Sequence, residues 1–384
     1  MRRTIILAVA SVVVMLFEAC QHRGTKARES AVGDTVQVLS VKYAKGFSVS
    51  QREDGVRLVD VADPQTDEDR MPVSYHFALV PRQAPHASVP EGYVEVRVPV
   101  ERTIVMTMLQ LSNFIALDGL GVVKGITGTK NLFNKEVKQR VADGRIVKIG
   151  MEGNFDPELI LAANPEVIFI SPFKRGGYDA IKETGITLIP HLGYKELDPL
   201  GQAEWLKYVG LFIGREREAD SLFAAIERRY TTLKRRIDSL EQPRPTVFSG
   251  EMHGGNWYAV GGKNYLAQLF RDAGADYVVN DENTGGVNIE FEQMYAQAAQ
   301  ADYWRILNSY PGDFSYEALK ASEPRNELFK AFRERQVIYC NMKQTPYYEL
   351  TPVMPDVVLS DLVAVFHPEL MPKDYQPTFY RLLR

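Results

Sequence analysis

Residues 155–169 read FDPELILAANPEVIF, and a looser copy of this stretch, IEFEQMYAQAAQADYW, occupies residues 289–304. Each copy places an acidic residue in a first helical turn, runs through an Ala-rich helix and passes another acidic residue into an apolar strand. The two copies predict two similar α/β lobes, each presenting a carboxylate at an equivalent place. Two lobes with a cleft between them indicate a receptor for a small molecule.

The distribution of apolar residues divides the 384-residue chain into segments. Strand and helix patterns alternate from Thr103, which predicts doubly wound parallel sheets with helices on both faces. Residues 35–100 alternate with a period of two and predict a small antiparallel sheet on the first lobe. In chain order we predict a signal peptide (1–19), a tether (20–34), a β-rich extension (35–100), a first α/β lobe (101–214), a linking helix (215–242) and a second α/β lobe (243–384).

A long amphipathic helix separates the two halves. Between Glu216 and Glu241, apolar residues recur at steps of three and four, with Arg, Lys and Glu between them. At ~1.5 Å per residue this helix spans about 39 Å, and QPRP at 242–245 ends it. We expect it to be a rigid strut that joins the lobes.

The first 20 residues carry export signals. Arg2 and Arg3 precede an apolar run that is shorter than the roughly 20 residues needed to cross a bilayer. The run ends at LFEAC (16–20), which resembles a lipobox, so we expect Cys20 to carry lipid and to anchor the chain to a membrane. The alternative is an ordinary signal peptide with an incidental cysteine.

Composition and missing motifs exclude several classes of protein. The formal net charge of −4, without runs of Lys or Arg, argues against nucleic-acid binding. Cys20 and Cys340 cannot form a disulfide framework, and the apolar strand around Cys340 predicts an inert core thiol. Neither G-x-S-x-G nor H-E-x-x-H occurs, and the glycines at 261–262 lack the context of a phosphate-binding loop.

Loops at the predicted strand ends are rich in aromatic and basic residues. Ligands of open α/β sheets bind beyond the carboxyl ends of strands, so two facing lobes bring these loops to one cleft. Aromatic walls with a few cations fit a bulky, partly planar, anionic ligand; the alternative is that the rings only pack the interlobe surface. The predicted ligand contacts are Met108, Lys130, Phe173, Arg175 and Tyr178 in the first half, and His253, Trp257, Tyr258, Tyr310, Lys343 and Tyr347 in the second.

Glu158 and Glu292 occupy matching positions in the two copies, each in the first turn of a helix. The helix dipole favours a carboxylate there by roughly 0.3–1 kcal/mol, which is the purely structural explanation. One carboxylate per lobe on a common face also fits two cationic sites of a two-fold symmetric partner. We therefore expect Glu158 and Glu292 to dock onto such a partner.

DPELILAANPEVI (156–168), the stretch from PLGQAEW (199–205) to Arg215, the strut helix and VGGKNYL (260–266) together resemble the solute receptors of ABC importers for ferric siderophores, haem and cobalamin. The resemblance covers residues from about 100 to 372, implies a periplasmic-binding domain at 102–372, and implies small lobe movements. The extension, with YAKGF (43–47) and VPVER (98–102), looks like the variety found in Bacteroides-like bacteria.

This resemblance implies a receptor that is not an enzyme and has no cofactor of its own. It would be a periplasmic monomer, anchored through Cys20, that captures an iron complex (ferric siderophore or haem) and delivers it to an inner-membrane permease with its ATPase. In that family the first-turn Glu of each lobe pairs with Arg of the permease; by motif match these are Glu158 and Glu292. The second copy has AQA where Asn/Asp-Pro is usual, which leaves Glu290 as the alternative to Glu292.

Other functions stay open. A corrinoid ligand is large and neutral and needs fewer cations than the basic loops offer. A metal-dependent hydrolase would depend on His191 and His253, each alone in its loop, whereas catalytic zinc sites usually have three protein ligands. The same histidines together with Glu251 would be the ligands for direct binding of a bare metal ion.

Overall fold

The structure, a computed structural model, describes residues 35–36, 40–65, 74–84, 87–128, 132–151, 154–172 and 178–384. It confirms the predicted fold class, because two largely parallel sheets with flanking helices form two α/β lobes. The predicted signal peptide, tether and Cys20 lie outside the described residues. In the described part of the chain, no helix combines the length and apolar character needed to cross a membrane.

The extension is a five-stranded sheet in which neighbours in sequence are neighbours in space. Strands β1 to β4 pair antiparallel, as predicted, but β5 runs parallel to β4. The expectation of a wholly antiparallel sheet is wrong there, because the chain after β4 crosses back along the sheet instead of turning in a hairpin. The strands are β1 Thr35–Val36, β2 Phe47–Arg52, β3 Arg57–Ala62, β4 Ser74–Pro81 and β5 Val94–Val98.

The first lobe is built on a parallel sheet in the order β12-β11-β6-β7-β8. Strand β11 is buried along its whole length, as expected for a sheet covered on both faces. Strands β9 and β10 form a separate ribbon. The strands are β6 Thr103–Val105, β7 Val123–Ile126, β8 Val147–Lys148, β9 Gly150–Met151, β10 Asn154–Phe155, β11 Val167–Ile170 and β12 Thr187–Pro190; the helices are α1 Met108–Ala116, α2 Lys135–Ala142, α3 Pro157–Ala162 and α4 Asp179–Lys182.

Two consecutive helices, α5 (Pro199–Ile213) and α6 (Glu216–Asp238), connect the lobes. Helix α6 begins where the strut was predicted to begin and ends three residues before Glu241. The left-handed Gly214 (φ 69°) separates the two helices. Ala219 packs into the core of the first lobe, whereas the later apolar residues of α6 pack into the second, so this helix belongs to both.

Two buried carboxylates hold the extension against α5. Glu204 accepts hydrogen bonds from the consecutive backbone N–H groups of residues 42–44, at 2.7–3.0 Å. Glu196 accepts from the backbone N–H of Gly46 (2.9 Å) and from Nε1 of Trp205 (3.0 Å). These carboxylates satisfy backbone donors that no strand partner reaches, and so they fix where the extension sits.

The second lobe has a sheet in the order β16-β13-β18-β19-β20, parallel except for β20 at the edge. Its core stacks Phe248, Trp257, Trp304 and Phe329. Strands β14, β15 and β17 form a small second sheet. The strands are β13 Thr246–Ser249, β14 Glu251–His253, β15 Asn256–Val260, β16 Asp276–Tyr277, β17 Gly286–Ile289, β18 Tyr303–Asn308, β19 Val337–Asn341 and β20 Arg381–Leu382; the helices are α7 Tyr265–Asp272, α8 Phe291–Ala298, α9 Tyr316–Ser322, α10 Lys330–Arg333, α11 Tyr347–Leu350 and α12 Pro355–Phe366.

Candidate ligand site between the lobes

A cavity of about 800 Å³ lies between the lobes. Leu109 and Tyr194 line it from the first lobe, and Gln202 lines it from α5. Part of the remaining wall follows the carboxyl ends of β13, β18 and β19, which is where open α/β sheets bind ligands, and the rest comes from β14, β15, α7 and residues 347–352. The volume falls in the range of small-molecule sites, about 300–1,000 Å³.

Several predicted ligand contacts lie on this interlobe surface. His253, Tyr258, Tyr310 and Tyr347 line the cavity. Met108 and Tyr347 also line a smaller pocket of about 190 Å³, together with Phe133 and Tyr348. The residues Tyr258 and Tyr348 are 53% and 54% exposed, so their side chains are accessible to a ligand. The part of the prediction that concerned an aromatic wall therefore agrees with the geometry.

Trp257 is not on that wall, contrary to the prediction. The stretch that was expected to be a loop is the hairpin β14–β15, which turns at Gly254 and Gly255, both with positive φ. Side chains alternate along a strand, so Tyr258 faces the cavity while Trp257 enters the core with 0% exposure. The Trp257 Nε1 donates to the carbonyl of Ser249 at 2.9 Å, which completes its burial.

Two other predicted contacts lie away from the cavity lining. Tyr178 turns into the first lobe, where its hydroxyl donates to the carbonyl of Ser171 (2.6 Å) and its ring packs on Phe155. Lys343 lies in the exposed turn after β19 and is not among the residues that line the cavity. Neither side chain is therefore part of the described cavity lining. Lys130, Phe173 and Arg175 lie outside the described residues.

Arg305 is the cation that the structure adds to the cavity wall. It stands in β18 between Trp304 and Ile306, which both enter the core, and the alternation of the strand turns Arg305 to the cavity side. The residue is only 7% exposed. The signal in the sequence is a charged residue in the middle of an apolar strand, and the loop-centred prediction missed it.

The guanidinium of Arg305 is held by Tyr380. Its Nε and Nη2 donate to the Tyr380 hydroxyl, the former at 3.0 Å, and its central carbon lies 5.1 Å from the centre of the Tyr380 ring. The Tyr380 hydroxyl in turn donates to Tyr347 on the cavity wall. Among the described carboxylates, none forms an ion pair with Arg305. The guanidinium therefore lines the cavity without a direct ion pair, and Glu251 on the same wall is close enough to feel its charge.

Glu251 is the acidic group of the same wall. Asn308 donates to its carboxylate at 3.2 Å from Nδ2. Burial raises the pKa of Glu251 to about 7, although the hydrogen bond from Asn308 and the charge of Arg305 act in the opposite direction. The cavity therefore contains a carboxyl group that changes its charge near neutral pH.

Tyr265 is a third polar group on the wall. Its hydroxyl is buried and has no hydrogen-bond partner in the described part of the chain. Burial raises its pKa far above the usual range, so the hydroxyl stays protonated and able to donate. Orphaned buried donors are uncommon in folded proteins and call for an explanation.

The histidines considered for a metal site lie in different surroundings. His191 is 0% exposed in the first lobe, where its ring packs against Trp205 and burial lowers its pKa to about 3. His253 is exposed beside the glycine turn at the cavity rim. Across the described residues, no three His, Cys, Asp or Glu side chains come together in a group able to hold a metal ion.

Glu158 and Glu292 occupy equivalent helical positions, since each is the second residue of its helix, α3 or α8. Glu290 is the cap residue before α8. Glu158 is exposed and forms no ion pair with a described residue. Glu292 is also exposed but lies 3.1 Å from Nη1 of Arg325. The duplicated acids are therefore matched in backbone position but differ in charge environment.

Two α/β lobes that are joined by helices and enclose an aromatic cavity define the class of two-lobed solute receptors. A family model described as periplasmic binding protein matches residues 108–343. The chain belongs to this family, whose members are substrate-binding proteins and not enzymes.

The chain is also similar to lipoproteins of an archaeon and to solved periplasmic binding proteins. The lipoprotein MJ0878 of Methanocaldococcus jannaschii is 31% identical over 73% of this chain and 68% of its own length. The lipoprotein MJ0872 of the same organism is 24% identical over 99% of both chains. A periplasmic haem-binding protein from Pseudomonas aeruginosa superposes with a TM-score of 0.58 at 19% identity, covering 74% of this chain and 98% of that one. The TroA-like periplasmic binding protein FepB from Veillonella parvula gives 0.54 at 19% identity, covering 74% and 95%.

Proposed function

We propose that this protein is the substrate-binding lipoprotein of an ABC importer and that it captures an iron complex, a ferric siderophore or haem, between its lobes. The observation that carries the proposal is the interlobe cavity of about 800 Å³, which is lined by tyrosines and by Arg305, a buried cation that forms no ion pair with a described carboxylate. Aromatic rings suit the flat or aromatic parts of such a ligand, and a buried guanidinium suits its negative charge.

A cobalamin-type corrinoid is the second candidate, because the same aromatic wall and volume would accept it. A neutral corrinoid leaves the charge of Arg305 unpaired in a closed cleft, which is costly. This argument favours the anionic iron complex. Proteins that share the fold include a periplasmic haem-binding protein from Pseudomonas aeruginosa and an Fe³⁺-hydroxamate transport protein from Saccharomonospora viridis.

Delivery to an inner-membrane permease is part of the proposal. Glu158 and Glu292 would meet arginines of the permease, one from each half of a two-fold partner. Around Glu158 the exposed side chains of Leu159 (38%) and Leu161 (54%) add apolar surface of the kind found in protein interfaces. Anchoring through a lipid on Cys20, after removal of residues 1–19, would keep the receptor next to that permease in the periplasm.

Calorimetric titration of the ligand-free protein tests the proposal, with ferric catecholate, hydroxamate and carboxylate siderophores, haemin and cyanocobalamin as probes. We expect one iron complex to bind at one molecule per chain. Tyr258→Ala should weaken that complex roughly threefold to tenfold through lost ring contact, while Tyr75→Ala, on the extension, should not. Binding of cyanocobalamin alone would support the corrinoid receptor, and binding of none of the probes contradicts both candidates. Mass spectrometry of material that co-purifies from the native host names the ligand directly.

A further inference from the structure

The side chain of Gln65 connects the β-rich extension to both lobes. Its Nε2 donates to the backbone carbonyl of Lys195 in the first lobe at 2.6 Å. Its Oε1 accepts a hydrogen bond of 2.9 Å from the hydroxyl of Thr284 in the second lobe. Two residues before Gln65, Asp63 forms an ion pair with Lys195. One side chain of the extension therefore joins the two lobes directly.

The first-lobe end of this connection is fixed to the cavity wall. Glu204 and Glu196 accept hydrogen bonds from consecutive backbone N–H groups of the extension, so the extension moves with the first lobe. Lys195, whose carbonyl binds Gln65, directly follows Tyr194, which lines the cavity. A displacement of Gln65 is therefore coupled to the wall that the first lobe contributes.

The second-lobe end is also held tightly. Thr284 lies in the loop 281–285, which packs on the glycines of VGGKNYL. The backbone N–H of Gly261 donates to the carbonyl of Gly285 at 2.8 Å. A Cβ at Gly261 would lie 2.3 Å from the carbonyl oxygen of Asn283, so only glycine permits this close approach. The loop is therefore a fixed part of the second lobe.

Asn264 links this loop to the cavity. It is the N-cap residue of α7 and lines the cavity, and its Nδ2 donates to the backbone carbonyl of Thr284 at 2.7 Å. A continuous series of bonds thus runs from Lys195 through Gln65 and Thr284 to Asn264. Within this series, only the bond between Gln65 and Thr284 crosses from one lobe to the other. Neither of these two residues lines the cavity itself.

We propose that Gln65 and Thr284 form an interlobe strap that controls how fast a ligand enters and leaves the cavity. The exchange of a ligand rests on the proposed function, whereas the strap is a property of the fold. Separation of the lobes breaks the bond between Gln65 and Thr284, so this bond slows opening. Because neither side chain lines the cavity, we expect the strap to change the association and dissociation rates together and to leave the affinity nearly unchanged.

Stopped-flow measurements with haemin test the effect on ligand exchange. If haemin does not bind, the iron complex that the calorimetric titration identifies takes its place. Thr284→Val keeps the shape of the side chain and removes only the hydroxyl, and it should raise both rate constants roughly twofold to tenfold, as for the loss of one neutral hydrogen bond. Gln65→Leu should do the same, and the double variant should be no faster than Gln65→Leu, because both changes remove one bond. Gln83→Leu, at an exposed glutamine of the extension, is the matched control and should exchange haemin like the wild type.

Cross-linking tests the strap without any ligand. In the double variant Gln65→Cys/Thr284→Cys, a short bis-maleimide should join the two cysteines within one chain, which mass spectrometry of the digested protein detects. The wild type and the single variants are the controls, since the thiol of Cys340 is buried. The cross-linked protein should take up and release haemin more slowly than the unlinked double variant, which is the opposite of the effect of Thr284→Val.

The outcomes separate the strap from the proposed function. The strap is overturned if Thr284→Val and Gln65→Leu exchange haemin at wild-type rates, or if the two cysteines do not cross-link. A change in the dissociation constant with an unchanged association rate would also overturn it, because that pattern belongs to a ligand contact. If no iron complex binds, the proposed function fails, and the cross-link alone then supports the strap by forming or overturns it by failing to form.

Discussion

The Oε2 atom of Glu349, in the second lobe, accepts a hydrogen bond of 2.9 Å from the backbone N–H of Asn134 in the first lobe. Its Oε1 accepts from the neighbouring backbone N–H of Phe133 at 2.5 Å. A side chain of α11 thus pairs with the backbone at the start of α2, across the interlobe surface. Glu349 is buried, so this contact closes the protein beside the small pocket that Met108 lines.

Removing this carboxylate should loosen the contact between the lobes. We expect Glu349→Ala to lower the free energy of unfolding by about 1–3 kcal/mol, because two buried backbone donors lose a charged acceptor. Hydrogen exchange at the amides of Phe133 and Asn134 should become faster. Glu334→Ala, which changes an exposed acid of the second lobe, is the control and should alter neither; unchanged exchange at Phe133 and Asn134 in Glu349→Ala would show that the contact does not persist in solution.

The stability of the protein should depend on pH through Glu251. Its pKa is about 7 in the folded state against 4.5 for the free side chain, so the folded protein holds a proton that the unfolded chain has released. The stability linked to this proton is fully present below pH 4.5 and is lost as the pH rises through about 7. Glu251→Gln should therefore be more stable than the wild type at pH 8, by on the order of 2–3 kcal/mol, and equal to it at pH 4.5. Urea unfolding at both pH values measures this difference, and Glu282→Gln, an exposed acid, should show none.

Affinity for an anionic ligand should follow the same titration. As the pH rises from 6 to 8, the Glu251 carboxylate becomes negative beside Arg305 and repels the ligand, so the dissociation constant should rise several-fold. In Glu251→Gln the dependence should flatten. Tyr258 pairs across from Glu251, and Tyr339 and the rim residue His253 are the other titratable groups near it. The variant His253→Gln tests whether the rim histidine causes the pH dependence instead. If the pH dependence of the dissociation constant vanishes in His253→Gln and persists in Glu251→Gln, the prediction for Glu251 is wrong.

The two proposed docking acids should not contribute equally. Glu292 forms an ion pair with Arg325, which also pairs with Glu323 and lies over the ring of Phe291. Glu158 has no ion-pair partner among the described residues. We expect Glu158→Arg to reduce the receptor-stimulated ATP hydrolysis of the importer in proteoliposomes several-fold. Glu292→Arg should reduce it less. Ligand binding should be unchanged in both variants. Full stimulation with the double variant would exclude docking through these positions.

The attachment of the extension should depend on Glu204. Its carboxylate pairs with the buried Lys207 at 3.0 Å and accepts the backbone N–H groups of residues 42–44. Glu204→Ala removes the acceptor of these backbone donors and the nearer of the two carboxylates beside Lys207, which keeps Asp220 at 3.6 Å and the carbonyl of Ser40, so we expect a loss of about 3–5 kcal/mol in the free energy of unfolding. Glu227→Ala removes only the more exposed contacts with Lys42 and Tyr43 and should cost about 1 kcal/mol or less. Equal losses in the two variants would contradict this difference in burial.

Much of the fold could be predicted from the periodicity of apolar residues and from the glycines and prolines that end helices and strands. Helix α6 begins at Glu216, where the periodicity predicts it, and the second lobe contains the predicted parallel sheet because short apolar runs such as Val337–Asn341 mark its strands clearly. The hairpin at 251–260 could not be recognised, since its strands are short and its two glycines also suit a ligand-binding loop. The parallel pairing of β5 depends on where a loop crosses the sheet, which residue patterns do not encode.

The candidate site was harder to predict than the fold. Tyr258, Tyr310 and Tyr347 were found because loops at strand ends converge in this topology. Trp257 was misplaced because a shift of one residue along a strand reverses its face. Arg305 could not be placed, because both faces of a central strand are covered and only the packing decides which face opens on the cavity.

The burial of Cys340 makes site-specific labelling of this protein with dyes practical. Its thiol is 2% exposed on β19, and burial raises its pKa to about 11, so little of the reactive thiolate forms at neutral pH. A chain that starts after Cys20 has no other sulfhydryl. The variants Lys135→Cys and Lys343→Cys place a thiol at exposed positions on opposite lobes. These thiols would react with maleimide dyes while Cys340 reacts little. Energy transfer between the dyes would then measure, molecule by molecule, how far the lobes move when a ligand enters or leaves.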